Sequence, residues 1–307
     1  MRILVTGAAG YIGSTLVPKL LGSGHEVTVI DNFMYSQSTV LAGWCFYNRL
    51  DIVRGDARDP RIMEPLISKH DAIIPLAAIV GASACDQDTM AAHSTNVHAI
   101  KLIIEKARPE QVIIVPISNS GYGVGSDKEC TEKSPLHPVS LYGKLKVEAE
   151  QALMSSNRSW VSLRLATVFG MSPRMRRDLL VNDFVWKAVT DRAVTLFEPH
   201  FRRNYIHVRD VASAFIHVLR EPLRGVYNVG LSDANLTKLA LCKKIKEYVP
   251  DFVFWESPIG EDPDKRDYIV SNAKIEKTGF RPDYSLDDGI KELIKGYRSF
   301  RKEYTNV

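Results

Sequence analysis

Ile3-Leu4-Val5-Thr6-Gly7-Ala8-Ala9-Gly10-Tyr11-Ile12-Gly13 is an apolar run that breaks into three glycines spaced three apart. The run reads as a buried strand, and the glycines as the tight turn leading into a helix. The three glycines act differently, since one lets the backbone turn, one lets a phosphate approach the main chain, and one lets the helix close on the sheet. The N–H groups at the start of that helix then face an anion. Eighteen residues past Gly13, Asp31 ends the next apolar run. A carboxylate there accepts hydrogen bonds from both ribose hydroxyls of a dinucleotide and repels a 2′-phosphate, which predicts NAD over NADP. Asp56, after the next strand, reads equally as an adenine contact or a turn residue. Leu76-Ala77-Ala78 supplies small side chains where the nicotinamide half must pass.

Outward from this turn, apolar runs bounded by turn residues recur at Arg2–Thr6, Glu26–Ile30, Ala72–Leu76, Gln111–Ile117 and Trp160–Leu165. Stretches long enough for helices separate them, including Gly13–Leu21, Met90–Lys106, Tyr142–Ser155 and Asp210–Arg220. The alternation predicts an α/β fold, a doubly wound parallel-sheet Rossmann domain covered by helices on both faces. Pro18 falls inside the first helix and predicts a bend there. After about Gly170 the alternation fades into clusters of Arg, Asn, Asp and Pro at Ser172–Arg177, His200–Asn204 and Gly260–Asp267. The expected division is an NAD-binding domain over 1–170, with returning segments near 205–230, and a smaller, discontinuous C-terminal substrate-binding lobe over 171–307.

The 307 residues are 45% hydrophobic and 25% charged, an ordinary globular composition with a net charge of +4. So mild an excess gives no reason to expect nucleic-acid binding. Cys45, Cys85, Cys130 and Cys242 are scattered without a C-x-x-C spacing and read as reduced thiols. The eight histidines show no metal-ligand cadence, so no metal is expected. The longest apolar stretch, Ile73–Ala84, is too short to span a bilayer and is broken by Pro75 and Gly81. A soluble cytoplasmic protein without a membrane partner is the expectation.

Tyr142-Gly143-Lys144-Leu145-Lys146 places a phenol and an ammonium on one helical face. A free tyrosine, with a pKa near ~10, is a poor base at neutral pH. The Lys146 charge and the cationic ring of NAD+ both favour the phenolate, which can then take a hydroxyl proton while the adjacent carbon delivers hydride to the nicotinamide. Tyr142 and Lys146 therefore count among both the catalytic and the cofactor-contacting residues.

These motifs together make the chain resemble the extended short-chain dehydrogenase/reductases, the NAD-dependent nucleotide-sugar epimerase and dehydratase superfamily, over nearly its whole length. In that family a Ser or Thr stands four residues before a Tyr-Gly pair. Ser118-Asn119-Ser120-Gly121-Tyr122-Gly123 fits, which nominates Ser118 as the hydroxyl that orients the substrate, with Ser120 as runner-up. Asn96 matches a helix asparagine supporting the proton network and is counted with the cofactor residues. Arg203 and Arg266, the latter in Lys265-Arg266-Asp267-Tyr268, match arginines aimed at a substrate diphosphate, with Asn182 a polar contact nearby. The resemblance adds Tyr11, Ile12, Asn32, Ser36 and Ala57 to the cofactor set, and Ser118, Asn119, Ser120 and Thr167 to the substrate set. It also implies a homodimer packed through Met90–Lys106 and Tyr142–Ser155.

The departures narrow the reaction. Family members that eliminate water across C5 and C6 carry an Asp-Glu pair after the catalytic hydroxyl residue, and sugar-acid decarboxylases a glutamate at the second place. Asn119 and Ser120 are neither acid nor base. Thr167 replaces the usual asparagine, and Pro75 stands where a histidine often opens the Leu-Ala-Ala segment. The stretches Asn119–Gly125, Arg164–Phe184, His200–Asp210 and Gly260–Asn272 are most similar to a subgroup that oxidises C4 of GDP-linked manno-heptose. The resemblance thus implies a nucleotide-sugar 4-dehydrogenase, the alternative being a 4-epimerase of the UDP-glucose 4-epimerase kind. A non-catalytic NAD-binding regulator or scaffold is the remaining class, disfavoured by retention of Ser118, Tyr142 and Lys146.

Overall fold

In a computed structural model of the chain, residues 1–36, 38–124, 129–257, 259–261 and 266–299 are described. Gly125 and Lys265, each quoted above in a motif or stretch, lie outside them. The first half alternates as expected: β1 (Arg2–Thr6), α1 (Gly13–Gly22), β2 (Glu26–Asp31), β3 (Leu50–Arg54), α2 (Pro60–Lys69), β4 (Ala72–Pro75), α3 (Ala82–Gln87), α4 (Thr89–His93), α5 (Ala99–Lys106), β5 (Val112–Ser118), α6 (Leu141–Met154) and β6 (Ser159–Leu165). The second half is β7 (Thr167–Phe169), α7 (Leu180–Thr190), β8 (Ala193–Leu196), β9 (Arg202–His207), α8 (Val208–Arg220), β10 (Gly225–Val229), β11 (Asn235–Thr237), α9 (Lys238–Tyr248), β12 (Val253–Glu256), α10 (Ala273–Glu276) and α11 (Leu286–Ser299). No described helix is long and apolar enough to cross a membrane.

Seven strands form one parallel sheet in the order β10-β6-β5-β4-β1-β2-β3. The sheet is buried on both faces, which is why its central strands read as unbroken apolar runs. Leu16, Val17 and Leu20 of α1 pack with Val211 and Phe215 of α8 against Ile3 and Val5 on one face. Met63 and Ile67 of α2, Ile103 of α5 and Leu153 of α6 cover Leu4, Ile113 and Val115 on the other. The strand order reverses between β1 and β4, so the chain leaves those neighbours in opposite directions and opens a crevice at their carboxyl ends.

A second core, around Phe169, Val185, Tyr205, Leu241, Ile290 and Tyr297, joins α7, α9 and α11 to small sheets of order β11-β9-β7 and β12-β8. Two elements differ from the sequence reading. α1 runs through Pro18 to Gly22 as one helix. The expected helix 90–106 is interrupted by a π turn over Ser94–His98, whose extra residue no period of 3.6 announces.

The glycine turn is set by close approach. Gly7 has φ +65°, and a Cβ there would lie 2.5 Å from the backbone of Ala77; one at Gly13 would lie 2.2 Å from the Ala8 carbonyl oxygen. Gly22, at the end of α1, meets nothing within 4 Å. Gly7→Ala should therefore lower folding stability by about 2–3 kcal/mol, whereas Gly22→Ala should raise it by about 0.5–1 kcal/mol. Thermal and urea denaturation of the two variants checks both signs.

Candidate active site

The carboxyl ends of β1, β2, β4 and β5 bring the expected cofactor residues to one edge. Asp31 holds the glycine turn directly: its Oδ2 accepts from the Ala9 N–H at 2.9 Å and its Oδ1 from the Phe33 N–H at 2.8 Å. Gly10 is half-buried, and a Cβ on it would meet only the Gly7 carbonyl oxygen, at 3.1 Å. The space above Gly10 at the start of α1 is thus a cradle of main chain with room for a phosphate. Leu76, Ala77 and Ala78 line the crevice half-buried, with the Ala77 N–H donating to Thr6 Oγ1 at 3.2 Å. These residues could hold NAD, Asp31 presenting acceptors where an adenosine ribose would lie and Gly7–Gly13 presenting backbone to a pyrophosphate.

The other expected cofactor residues divide into two groups. Ile12 is half-buried beside the turn, and Asn32 and Ser36 lie exposed beyond β2, Asn32 Oδ1 accepting from the Met34 N–H at 3.1 Å. Tyr11, Asp56, Ala57 and Asn96 are engaged with the protein itself. The Tyr11 hydroxyl donates to the Gly170 carbonyl at 2.7 Å, tying the turn to the second core. Asp56 is forked by Arg58, which holds its carboxyl below the usual range, and Ala57 is buried. Asn96, in the π turn, spends its amide on Ile79, accepting from its N–H and donating to its carbonyl at 2.8 Å each. It braces the loop after β4 and lies 1% exposed.

Ser118 ends β5 half-buried, and its Oγ accepts from the Ser120 N–H at 3.1 Å. Tyr142 lies in the first turn of α6, which Ser140 caps by accepting from the Gly143 N–H at 3.2 Å. Farther along α6, Glu150 pairs with Arg164 of β6 at 2.6 Å, both almost fully buried. Arg164 Nη1 also donates to the Tyr122 hydroxyl at 3.0 Å, which in turn donates to Asn228 at 2.7 Å. This network fixes α6 against β5 and β6 and so fixes where Tyr142 and Lys146 stand.

The electrostatics correct the sequence reading. Burial is the largest influence on Tyr142 and pushes it up to about 12, while Arg266, Arg176 and a hydrogen bond with Ser118 pull it down. Lys146 lies 6.0 Å from the centre of the Tyr142 ring and donates to the Pro116 carbonyl at 3.2 Å. Burial lowers it to about 8. Desolvation of two neighbouring groups outweighs what their spacing promises, so Lys146 does not by itself make Tyr142 a phenolate.

On the substrate side the structure brings Arg203 and Arg266 together at Tyr268. The Arg203 guanidinium lies 5.9 Å from the Tyr268 ring centre, and Arg266 Nη1 donates to its hydroxyl at 3.3 Å. Thr167 is half-buried at the start of β7. Asn182 departs from its expected place: it is fully buried, accepting from the Gly170 N–H at 3.0 Å and donating to the Arg176 carbonyl at 2.8 Å. It braces the cleft wall rather than facing the cleft. Asn119 and Ser120 are also sealed, each 1% exposed, and their side-chain polar atoms have no partner among the described residues. Sequence reading missed Arg176, visible only as one of several arginines in a basic run; which of them reaches the site depends on how β7 and α7 place that run.

A doubly wound sheet with a dinucleotide turn at its switch point, and Ser118, Tyr142 and Lys146 gathered beside it, is an arrangement suited to NAD-dependent oxidation or reduction at a hydroxyl-bearing carbon. The family model described as "NAD dependent epimerase/dehydratase family" matches residues 3–230, and the chain belongs to that family. It is similar to the low-salt glycan biosynthesis protein Agl12 of Haloferax volcanii, 29% identical over 97% of this chain and 98% of that protein. It is also similar to UDP-glucuronic acid decarboxylase 1 of Arabidopsis thaliana, 28% identical over 97% of this chain and 70% of that protein. Among solved structures, the NAD complex of Thermus thermophilus UDP-glucose 4-epimerase superposes with a TM-score of 0.84, at 26% identity over 98% of this chain and 100% of that one.

Replacing Asp31 by alanine removes the acceptor that holds both Ala9 and Phe33. Isothermal titration should show NAD affinity falling about 10- to 100-fold, the equivalent of charge-assisted hydrogen bonds lost at a buried edge.

Proposed function

We propose that the protein oxidises the C4 hydroxyl of a nucleotide-diphosphate sugar to a 4-keto sugar. The observation that carries this reading is the hydrogen bond between the Ser118 and Tyr142 hydroxyls, with Arg266 acting on the same phenol and meeting Arg203 at Tyr268. Ser118 holds the C4 oxygen and Tyr142 takes its proton. NAD+, when bound, supplies the acceptor for the hydrogen leaving C4 and a cationic ring beside the phenol. Arg266 holds the diphosphate, for which a planar guanidinium is well shaped, and Arg203, only 2% exposed over the Tyr268 ring, lies behind it rather than open to the ligand. A ketone at C4 acidifies the C5 hydrogen and makes a C6 carboxylate a β-keto acid, so the same oxidation opens several later reactions. Elimination and assisted decarboxylation need a placed acid or base after Ser118. Asn119 and Ser120 provide none.

The ketosugar then leaves, which makes the enzyme a 4-dehydrogenase, and the resemblance of the stretches around Asn119, Arg164–Phe184 and His200–Asp210 supports GDP-manno-heptose as its substrate. Epimerisation at C4 is the second reading, supported by the full-length likeness to a UDP-glucose 4-epimerase; there the ketosugar would turn in the pocket, regaining at C4 the hydride that the reduced cofactor would supply and at O4 the proton from Tyr142. Met90 and Met154, 83% and 52% exposed on α4 and α6, support a homodimer joined through those helices.

The test is incubation with a panel of GDP- and UDP-sugars, following absorbance of the reduced cofactor and product mass. A product lighter by two hydrogens fits the dehydrogenase, and an isomer without net cofactor reduction the epimerase. Loss of water or carbon dioxide overturns the reading of Asn119 and Ser120. Tyr142→Phe should lower turnover by about 10²- to 10⁴-fold while NAD still binds; unchanged turnover would remove Tyr142 as the base, and no turnover of any sugar by the native chain would favour a scaffold role. Sedimentation at micromolar concentration should give twice the 34.4 kDa chain mass.

A further inference from the structure

The segment between β7 and α7 crosses from the second core to the crevice and is stitched down along its length. Ser172 Oγ donates to the Tyr11 carbonyl at 2.7 Å, and the Arg174 N–H donates to Ser14 Oγ at 3.2 Å. Two residues on, the Arg176 carbonyl accepts from Asn182, and Arg176 Nη2 reaches the Val80 carbonyl at 3.5 Å. Val80 follows Ile79, which Asn96 grips and which shares an apolar cluster with Tyr142. The Arg176 guanidinium is thus held over the loop that borders the phenol.

The Nη2 that reaches Val80 also meets the counterion of Arg176. Arg176 Nε donates to Asp178 Oδ1 at 2.7 Å and Nη2 to Oδ2, yet the arginine side chain is 16% exposed and the aspartate 52%. Water screens the carboxylate more than the guanidinium, so the half-buried phenol sees the pair as net positive.

We propose that Arg176, with Asp178 as its counterion, is a positioning residue for Tyr142, supplying from the second lobe a positive potential that stabilises the phenolate. Arg266 is the other cation acting on this phenol, with Cys85 opposing both and the Ser118 hydroxyl assisting them. Lys146 lies beneath the ring. Of the remaining charged groups on the helices around α6, Asp86 acts on Cys85, and His93, Lys101 and Glu148 pair among themselves. The segment that tunes the base therefore also holds the glycine turn, through Ser172 and the Arg174 N–H.

This rests on Tyr142 being the base, so the first measurement does not need turnover. In NAD-loaded protein carrying ¹³Cζ-tyrosine, the Tyr142 resonance is assigned by its loss in Tyr142→Phe and titrated with pH. Arg176→Gln should raise its ionisation by about one pH unit, since a cation is lost and Asp178 remains. Asp178→Asn should move it the opposite way, because the carboxylate no longer offsets Arg176. Arg176→Lys should restore most of the shift. If a nucleotide sugar is turned over, the alkaline-going limb of kcat/KM should move with the resonance in each variant. Shifts of the same sign in Arg176→Gln and Asp178→Asn, or none in either while NAD still binds, overturn the proposal. Matching opposed shifts without turnover of any sugar would instead leave the coupling intact and remove the proposed reaction.

Discussion

No side chain fits between Gly7 and Ala77, and the crevice depends on that contact. β1 and β4 are hydrogen-bonded neighbours up to Thr6 and Pro75, and the Leu76 N–H still reaches the Thr6 carbonyl at 3.0 Å. Beyond that point one chain turns into α1 and the other runs on towards Ile79. Because the turn is bare backbone, the two paths part with their main chains in contact. The phosphate cradle and the Leu76–Ala78 floor are therefore parts of one rigid edge. Asp31 locks the same edge from β2, and Asn96 locks its far end.

The layout of the sheet was legible because a two-sided parallel sheet needs apolar residues at successive positions, and the runs at Arg2–Thr6 and Gln111–Ile117 have them. That Arg203 and Arg266 belong to one site was suggested only by family likeness, since 62 residues of chain lie between them. What was not legible had specific causes. The π turn at Ser94–His98 comes from one extra residue whose purpose, the grip on Ile79, is tertiary. Asn182 looked like a cleft residue because an amide suits a ligand as well as it suits two backbone groups. Arg176 stood in a run of arginines whose sequence carries no hint of which one turns inward.

Burial and charge oppose each other at Tyr142. Packing α6 tightly, through Glu150 and Arg164, places the phenol and the ammonium accurately but takes both out of water, which disfavours the charged form of each. The sequence pair Tyr142 and Lys146 records only the favourable half of that balance. The compensating cations come from segments far along the chain, and the nicotinamide ring of the bound cofactor adds a further one.

The sealed pair Asn119 and Ser120 bears on how such an enzyme could acquire a new reaction. Exchanging them for aspartate and glutamate would install the residue types that eliminate water. Both positions are closed to solvent, however, and their present polar atoms find no partner among the described residues, so new carboxyls there would hold their protons. Evolution of an eliminating enzyme from this chain would have to loosen the turn between β5 and α6 before new side chains there could act as bases.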